Sequence, residues 1–221
     1  REEGLAPLIV ETQSATARDG TVASVVTSTG MDLFLHDVRA KSVSIHHVDF
    51  RGLPGGGFTS GGSPGIAALA SGDFVVVWSS RNGVEFTRYD TSGLEIGDRM
   101  VVDENVYSTS NAYYPELVAL DSGGFLIAWA QYRTDSQGDR TTALVAQEFG
   151  PTGQKIGKLI EIAEPEEQGP DELKLAVGDN GKILSLIAEY DEGVTAQFLQ
   201  AANLPDFQGV EQGGRGSQKL V

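Results

Sequence analysis

Apolar positions along this chain come in blocks. Residues 64–103 read PGIAALASGDFVVVWSSRNGVEFTRYDTSGLEIGDRMVVD. Four apolar runs (IAAL, FVVVW, VEFTRY, MVV) are separated by the small-residue turns SGD, SSRNG and DTSG. The same order returns over residues 115–161, more weakly over 170–204, and in degenerate form before residue 63. The second run of a block does not alternate: Phe74, Val75, Val76, Val77 and Trp78 in one copy, Phe125, Leu126, Ile127, Ala128 and Trp129 in the next. A strand without alternation is covered on both faces. The third run alternates, with Val84, Phe86 and Arg88 on one side and Glu85, Thr87 and Tyr89 on the other. The fourth is short and ends in acid (MVVDE, LIEIA), as suits an outer edge strand protected against pairing.

Glycine-bearing turns precede the second run at Asp19-Gly20, Ser71-Gly72, Ser122-Gly123 and Asn180-Gly181, so the blocks repeat every fifty-odd residues. Four strands per repeat at that spacing is the pattern of propeller blades. The expected fold is therefore all-β: a β-propeller of four blades, each of four antiparallel strands, in one domain over residues 1–211. The units are 12–62, 63–114, 115–169 and 170–204 plus 5–11. Residues 4–11 (GLAPLIVE) resemble the end of a block, not the start of one, and the last block lacks an obvious fourth strand. The N-terminal strand is thus expected to complete the last blade and close the ring, which removes open edges. Residues 28–41 and 131–142 read as long connections between second and third strands. Residues 212–221 read as a flexible tail.

Over residues 64–103 and 115–162 the chain shows P-x-[IL]-x-x-L-x-x-G-x-F-[VL]-[VI]-x-W, then a strand running into a G-x-x-[IV]-G turn. This unit resembles the tandem repeats of very large secreted bacterial proteins of the RTX or hemolysin type. Residues 170–200 keep Pro170 and the Ala196-Gln197-Phe198 strand, but Leu186 or Ile187 stands where tryptophan would be. The resemblance implies secretion, to the extracellular space, periplasm or cell surface, and a role in adhesion or assembly. It implies no catalytic residue, and the calcium-binding glycine–aspartate nonapeptides of such proteins are absent from the sequence.

Composition narrows the partners. The formal charge is −15, which repels phosphate backbones and argues against nucleic acid. There is no cysteine, so neither disulfides nor thiol chemistry enter. No apolar run approaches the ~18 residues of a membrane span. The expected partner is another extracellular protein or a glycan. No G-x-S-x-G elbow, phosphate loop or dinucleotide fingerprint occurs, so no catalytic residue is assigned.

Three groups carry the candidate chemistry. Asp135, Gln137 and Asp139 place oxygen ligands at alternate positions, as a hard cation such as Ca2+ needs, although the loop departs from an EF-hand. Tyr107, Tyr113 and Tyr114 fall between the fourth strand of one block and the first of the next, outside the repeat register, and are candidates for ligand contact. His36 with His46 or His47 could contribute to a metal site, the two adjacent histidines facing opposite sides of a strand. Trp78 and Trp129 share one repeat position and are expected in the core. A glycan-binding or glycan-cleaving propeller, and a structural subunit with an open blade edge, are the alternative readings.

Overall fold

The computed structural model describes residues 11–27, 31–37, 41–48, 64–80, 83–102, 113–134, 138–166, 172–178, 182–189 and 193–200. These form strands and turns, with no helix among them. The first sheet is β1 (Glu11–Thr16), β2 (Val22–Thr27), β3 (Met31–Asp37) and β4 (Ser42–Val48). The second is β5 (Gly65–Ala68), β6 (Phe74–Ser80), β7 (Gly83–Tyr89) and β8 (Met100–Val101). The third is β9 (Tyr113–Ala119), β10 (Phe125–Thr134), β11 (Arg140–Phe149) and β12 (Lys155–Glu166). The fourth, among the described residues, is β13 (Glu172–Val177), β14 (Lys182–Glu189) and β15 (Gly193–Gln200). Every sheet is an antiparallel meander of strands consecutive in sequence.

One turn recurs. Leu69 N donates to Asp73 O at 2.8 Å and Gly72 N to Leu69 O at 3.0 Å. The same pair of bonds closes the turns ending in Gly20, Gly93, Gly123 and Gly153. This is a type I turn followed by a residue in the left-handed region, and glycine takes that place (φ 98° at Gly72, 84° at Gly93). At Asp90 the turn is reinforced: its Oδ1 accepts from Ser92 Oγ (2.6 Å), Ser92 N (2.8 Å) and Leu94 N (3.0 Å). The Ser92 hydroxyl chiefly, with these amides, outweighs a slight desolvation and holds the carboxyl below its ordinary range.

The sheets stack in chain order through three apolar interfaces, and strand alternation assigns each residue to one of them. Phe74, Val76 and Trp78 of β6 pack on Ala23, Val25, Leu33 and Leu35 of the first sheet. Their neighbours Val75 and Val77 pack on Phe125, Ile127 and Trp129 of the third. Leu126, Ala128 and Ala130 pack on Leu173, Ile183, Ile187 and Leu199 of the fourth. β6 is accordingly buried along its whole length, as its unbroken apolar run requires, and both tryptophans lie in the core. At the second interface Phe86 meets Phe125 and Phe149 edge-on, with centroids 5.2 and 5.0 Å apart, while Phe125 and Phe149 stack at 5.2 Å.

Four details depart from the sequence expectations. Residues 28–41 are not one long connection: they contain β3, whose Leu33 and Leu35 enter the core. The turn after β3 carries no glycine. Lys41 occupies the left-handed region (φ 53°), so the usual turn signal was missing. The outer strand of the third sheet is not short; β12 runs for 12 residues, with register shifts that bend it along β11. Glu11, read with the closing segment, pairs with Thr27 inside the first sheet, and residues 5–10 lie outside the described residues. Finally, register makes Leu173, not Pro170, the equivalent of Pro64 and Pro115, and Ile187 the equivalent of the tryptophans.

Candidate functional site

Strand polarity divides the stack into two ends. At one end lie the tight glycine turns. At the other lie the starts of β5, β9 and β13, the ends of β6, β10 and β14, and the strand ends flanking each connection between sheets. Connecting segments carry function more often than scaffold strands, and the strand ends that lead into and out of the connections between sheets lie at the second end.

The innermost strands β1, β5, β9 and β13 bring register-equivalent positions together. Gln13 pairs with Val25, Gly65 with Val77, Glu116 with Ala128 and Lys174 with Leu186. Gly65 offers no side chain, and a Cβ there would sit 2.8 Å from Val77 Cγ1 and 3.3 Å from Leu117 Cβ. The absence of a Cβ lets the second and third sheets approach. On the third and fourth sheets the position is charged. Lys174 Nζ donates to Glu116 Oε1 at 2.6 Å, and Glu172 Oε1 stands 3.7 Å from the same nitrogen. One ammonium is thus flanked by two carboxylates, joining β9 to β13.

The electrostatics follow from partial burial. Desolvation pushes the Glu116 carboxyl above its ordinary value, and the hydrogen bond and charge of Lys174 offset this only in part. Burial opposes the charge of Lys174, but Glu116, with Glu172, outweighs it and the net shift is upward. Such a trio presents both donors and acceptors to a polar ligand, with Glu116 already engaged.

A second polar group lies at the same end, inside the first interface. Ser80 Oγ donates to buried Glu85 Oε1 at 2.8 Å. Arg99 lies 5.2 Å from the Trp78 ring centroid, a cation–π contact that covers the indole. Trp78 is therefore a core residue and not an open stacking platform.

The residues singled out by sequence fall as follows. Tyr113 and Tyr114 open β9 at this end, Tyr113 opposite Ala130. Tyr107, Asp135 and Gln137 lie outside the described residues, whereas Asp139 is exposed just before β11. His36 and His46 are not brought together. His46 stands opposite Leu33 and shares its face toward the second sheet, whereas His36 lies on the other face. His46 instead packs over Gly93 and lies 3.2 Å from Ser44 Oγ. Among the described residues no group of three His, Cys, Asp or Glu side chains could hold a metal ion. Glu116 and Lys174 escaped the sequence reading because each looks like an ordinary strand charge. Only correct register between copies places them side by side.

No family model and no curated protein matches the chain. Solved structures do. A protein of unknown function from Dyadobacter fermentans aligns with 89% of this chain and 62% of its own at 13% identity, with a TM-score of 0.54. A luciferin-regenerating enzyme aligns with 91% and 64% at 12% identity, with a TM-score of 0.51. An alpha-L-arabinofuranosidase from Podospora anserina, solved in complex with cellotriose, aligns with 93% and 68% at 10% identity, with a TM-score of 0.55. The fold is propeller-like. The chain spans less than two thirds of the first two of these structures.

Proposed function

We propose that this chain is a non-enzymatic, propeller-type recognition module of an extracellular assembly, and that it takes a glycan at the end where β5, β9 and β13 begin. The observation that carries the reading is the convergence there of the Glu116–Lys174–Glu172 trio with the start of β9, where Tyr113 and Tyr114 stand. A ligand rich in hydroxyls suits alternating charged donors and acceptors, and tyrosine is a residue type that commonly contacts such ligands. The likeness of fold to an arabinofuranosidase that was solved with cellotriose supports the ligand class. Binding is favoured over cleavage because glycoside hydrolysis needs two carboxylates free to act as acid and as base or nucleophile, and here Glu116 is held by Lys174. The strongly acidic, cysteine-free composition and the repeat resemblance support an extracellular setting. A hard cation held by Asp135, Gln137 and Asp139, on the connection from β10 to β11, belongs to the same proposal; chelator should lower the melting temperature, and an unchanged one removes the cation.

The test is titration calorimetry of the purified chain against an oligosaccharide panel that includes cellotriose, with product analysis on the same samples. Binding without reducing-end release is expected, weakened at least tenfold by Tyr114→Ala. Release of reducing ends, or no binding across the panel, overturns the proposal.

A further inference from the structure

Charge is distributed unevenly at the end where β5, β9 and β13 begin, and it bears on which glycan the site can take. Lys174 has Glu116 at 2.6 Å and Glu172 at 3.7 Å, so two carboxylates stand against one ammonium and the trio is net negative. Two other cations at this end are also engaged: Arg133 is held by Glu161 and Gln131, and Arg99 lies over the Trp78 ring. Acidic residues continue beyond the trio. Register sets Glu11 opposite Thr27 and Glu172 opposite Ala188, equivalent positions of β1 and β13 as Gln13 and Lys174 are, and Glu189 ends β14 at the same end. The chain as a whole carries a formal charge of −15.

We infer that the site selects neutral glycans and rejects acidic ones, and that Glu172 sets this selectivity. The inference rests on the recognition reading above and names the substrate class within it. A uronate or sulfate group binds a protein chiefly through an ammonium or guanidinium that it can pair with. Here the ammonium is occupied from two sides. An anionic group reaches it only by displacing Glu116 or Glu172, and the displaced carboxylate then faces the like charge of the ligand. Hydroxyls meet no such penalty. They donate to the carboxylates and accept from the Lys174 protons that Glu116 does not use. The two carboxylates differ in what they can do. Glu116 is half-buried and hydrogen-bonded to Lys174, a fixed part of the contact between β9 and β13. Glu172 is exposed and stands beyond hydrogen-bond distance of the ammonium, so its charge meets whatever approaches Lys174 from solvent.

The experiment is titration calorimetry of the full chain with matched trisaccharides: cellotriose against its counterpart oxidised to carboxylates at C6, and galactotriose against trigalacturonate. In any pair that binds, the neutral member should bind about tenfold more tightly at low salt, the scale of one unfavourable charge contact near a protein surface. Salt at about 0.5 M should narrow the ratio, because the discrimination is between partly exposed charges. Glu172→Gln should lower the ratio of the two dissociation constants by about threefold, and Glu172→Lys should lower it further, while circular dichroism stays that of the folded protein. An acidic member that binds as tightly as its neutral partner overturns the inference and leaves the glycan reading standing. A ratio that Glu172→Gln leaves unchanged overturns the role of Glu172. Binding by none of these sugars removes the glycan reading itself, and the selectivity falls with it.

Discussion

Three residues hold the same place in successive sheets. Val84 of the second, Leu144 of the third and Val194 of the fourth each stand on the third strand, pointing toward the next sheet, and they are 0%, 4% and 69% exposed. Their chemistry is the same; what differs is whether a further sheet lies against them. The comparison teaches that the interior sheets are stabilised as a stack and not one by one. The second and third sheets each bury both faces against neighbours, whereas among the described residues the fourth sheet buries one. It also explains why an unbroken apolar run such as 74–78 stands in the second sheet, which is covered on both faces.

The largest effect should come from deleting bulk at an interior interface. Trp129→Ala should cost about 3–5 kcal/mol by chemical denaturation, and Leu186→Ala on the open face under about 1 kcal/mol in dilute protein. Similar losses at both would break the contrast between interior and end.

An intermediate effect sharpens the first interface. Gly93→Ala should cost about 1–3 kcal/mol, because its φ of 84° strains any residue with a Cβ and that Cβ would run into the His46 ring. Adding His46→Ala should recover part of the loss, the steric part, in a double-mutant cycle; no recovery would mean that backbone strain is the whole cost.

The smallest effect probes the pair that ties the third sheet to the fourth. Lys174→Met should cost about 1 kcal/mol at neutral pH, the scale of a partly exposed ion pair. The pH dependence has a definite sign. Glu116 and Lys174 both bind their protons more tightly in the folded state, so each makes stability fall as pH rises. The Glu116 decline begins just above its ordinary 4.5. The Lys174 contribution holds through neutrality and is lost above 10.5. Without Lys174 the half-buried carboxylate loses its partner, so the penalty of Lys174→Met should shrink at pH 4, where Glu116 is protonated. Urea midpoints at pH 4 and 7 measure it.

Most of the layered scheme could be read from residues alone. The unbroken run 74–78 announces a strand covered on both faces, and the Ser71-Gly72 and Ser122-Gly123 pairs announce their turns because glycine fills the left-handed position. β3 was hidden because the turn after it uses Lys41 in place of glycine. The alignment of the fourth repeat on Pro170 slipped by three residues, since Leu173, Leu175 and Val177 carry the apolar alternation without a proline. The Glu116–Lys174 pair was out of reach for a physical reason: it joins residues 58 apart on different sheets, and a charge in a strand does not declare its partner across an interface. The separation of His36 from His46 likewise follows from register, which a lone strand cannot fix.

The claim that stands beneath all of this is that equivalent positions differ only by whether a sheet covers them. It is tested most directly by placing the same charge at two of them and comparing thermal melts in dilute protein. Val84→Glu should abolish the cooperative transition, because it buries an unpaired carboxylate between the second and third sheets. Val194→Glu should melt within a few degrees of the unaltered chain. If Val194→Glu unfolds the protein as Val84→Glu does, the face of the fourth sheet is buried within a single chain and the account is contradicted.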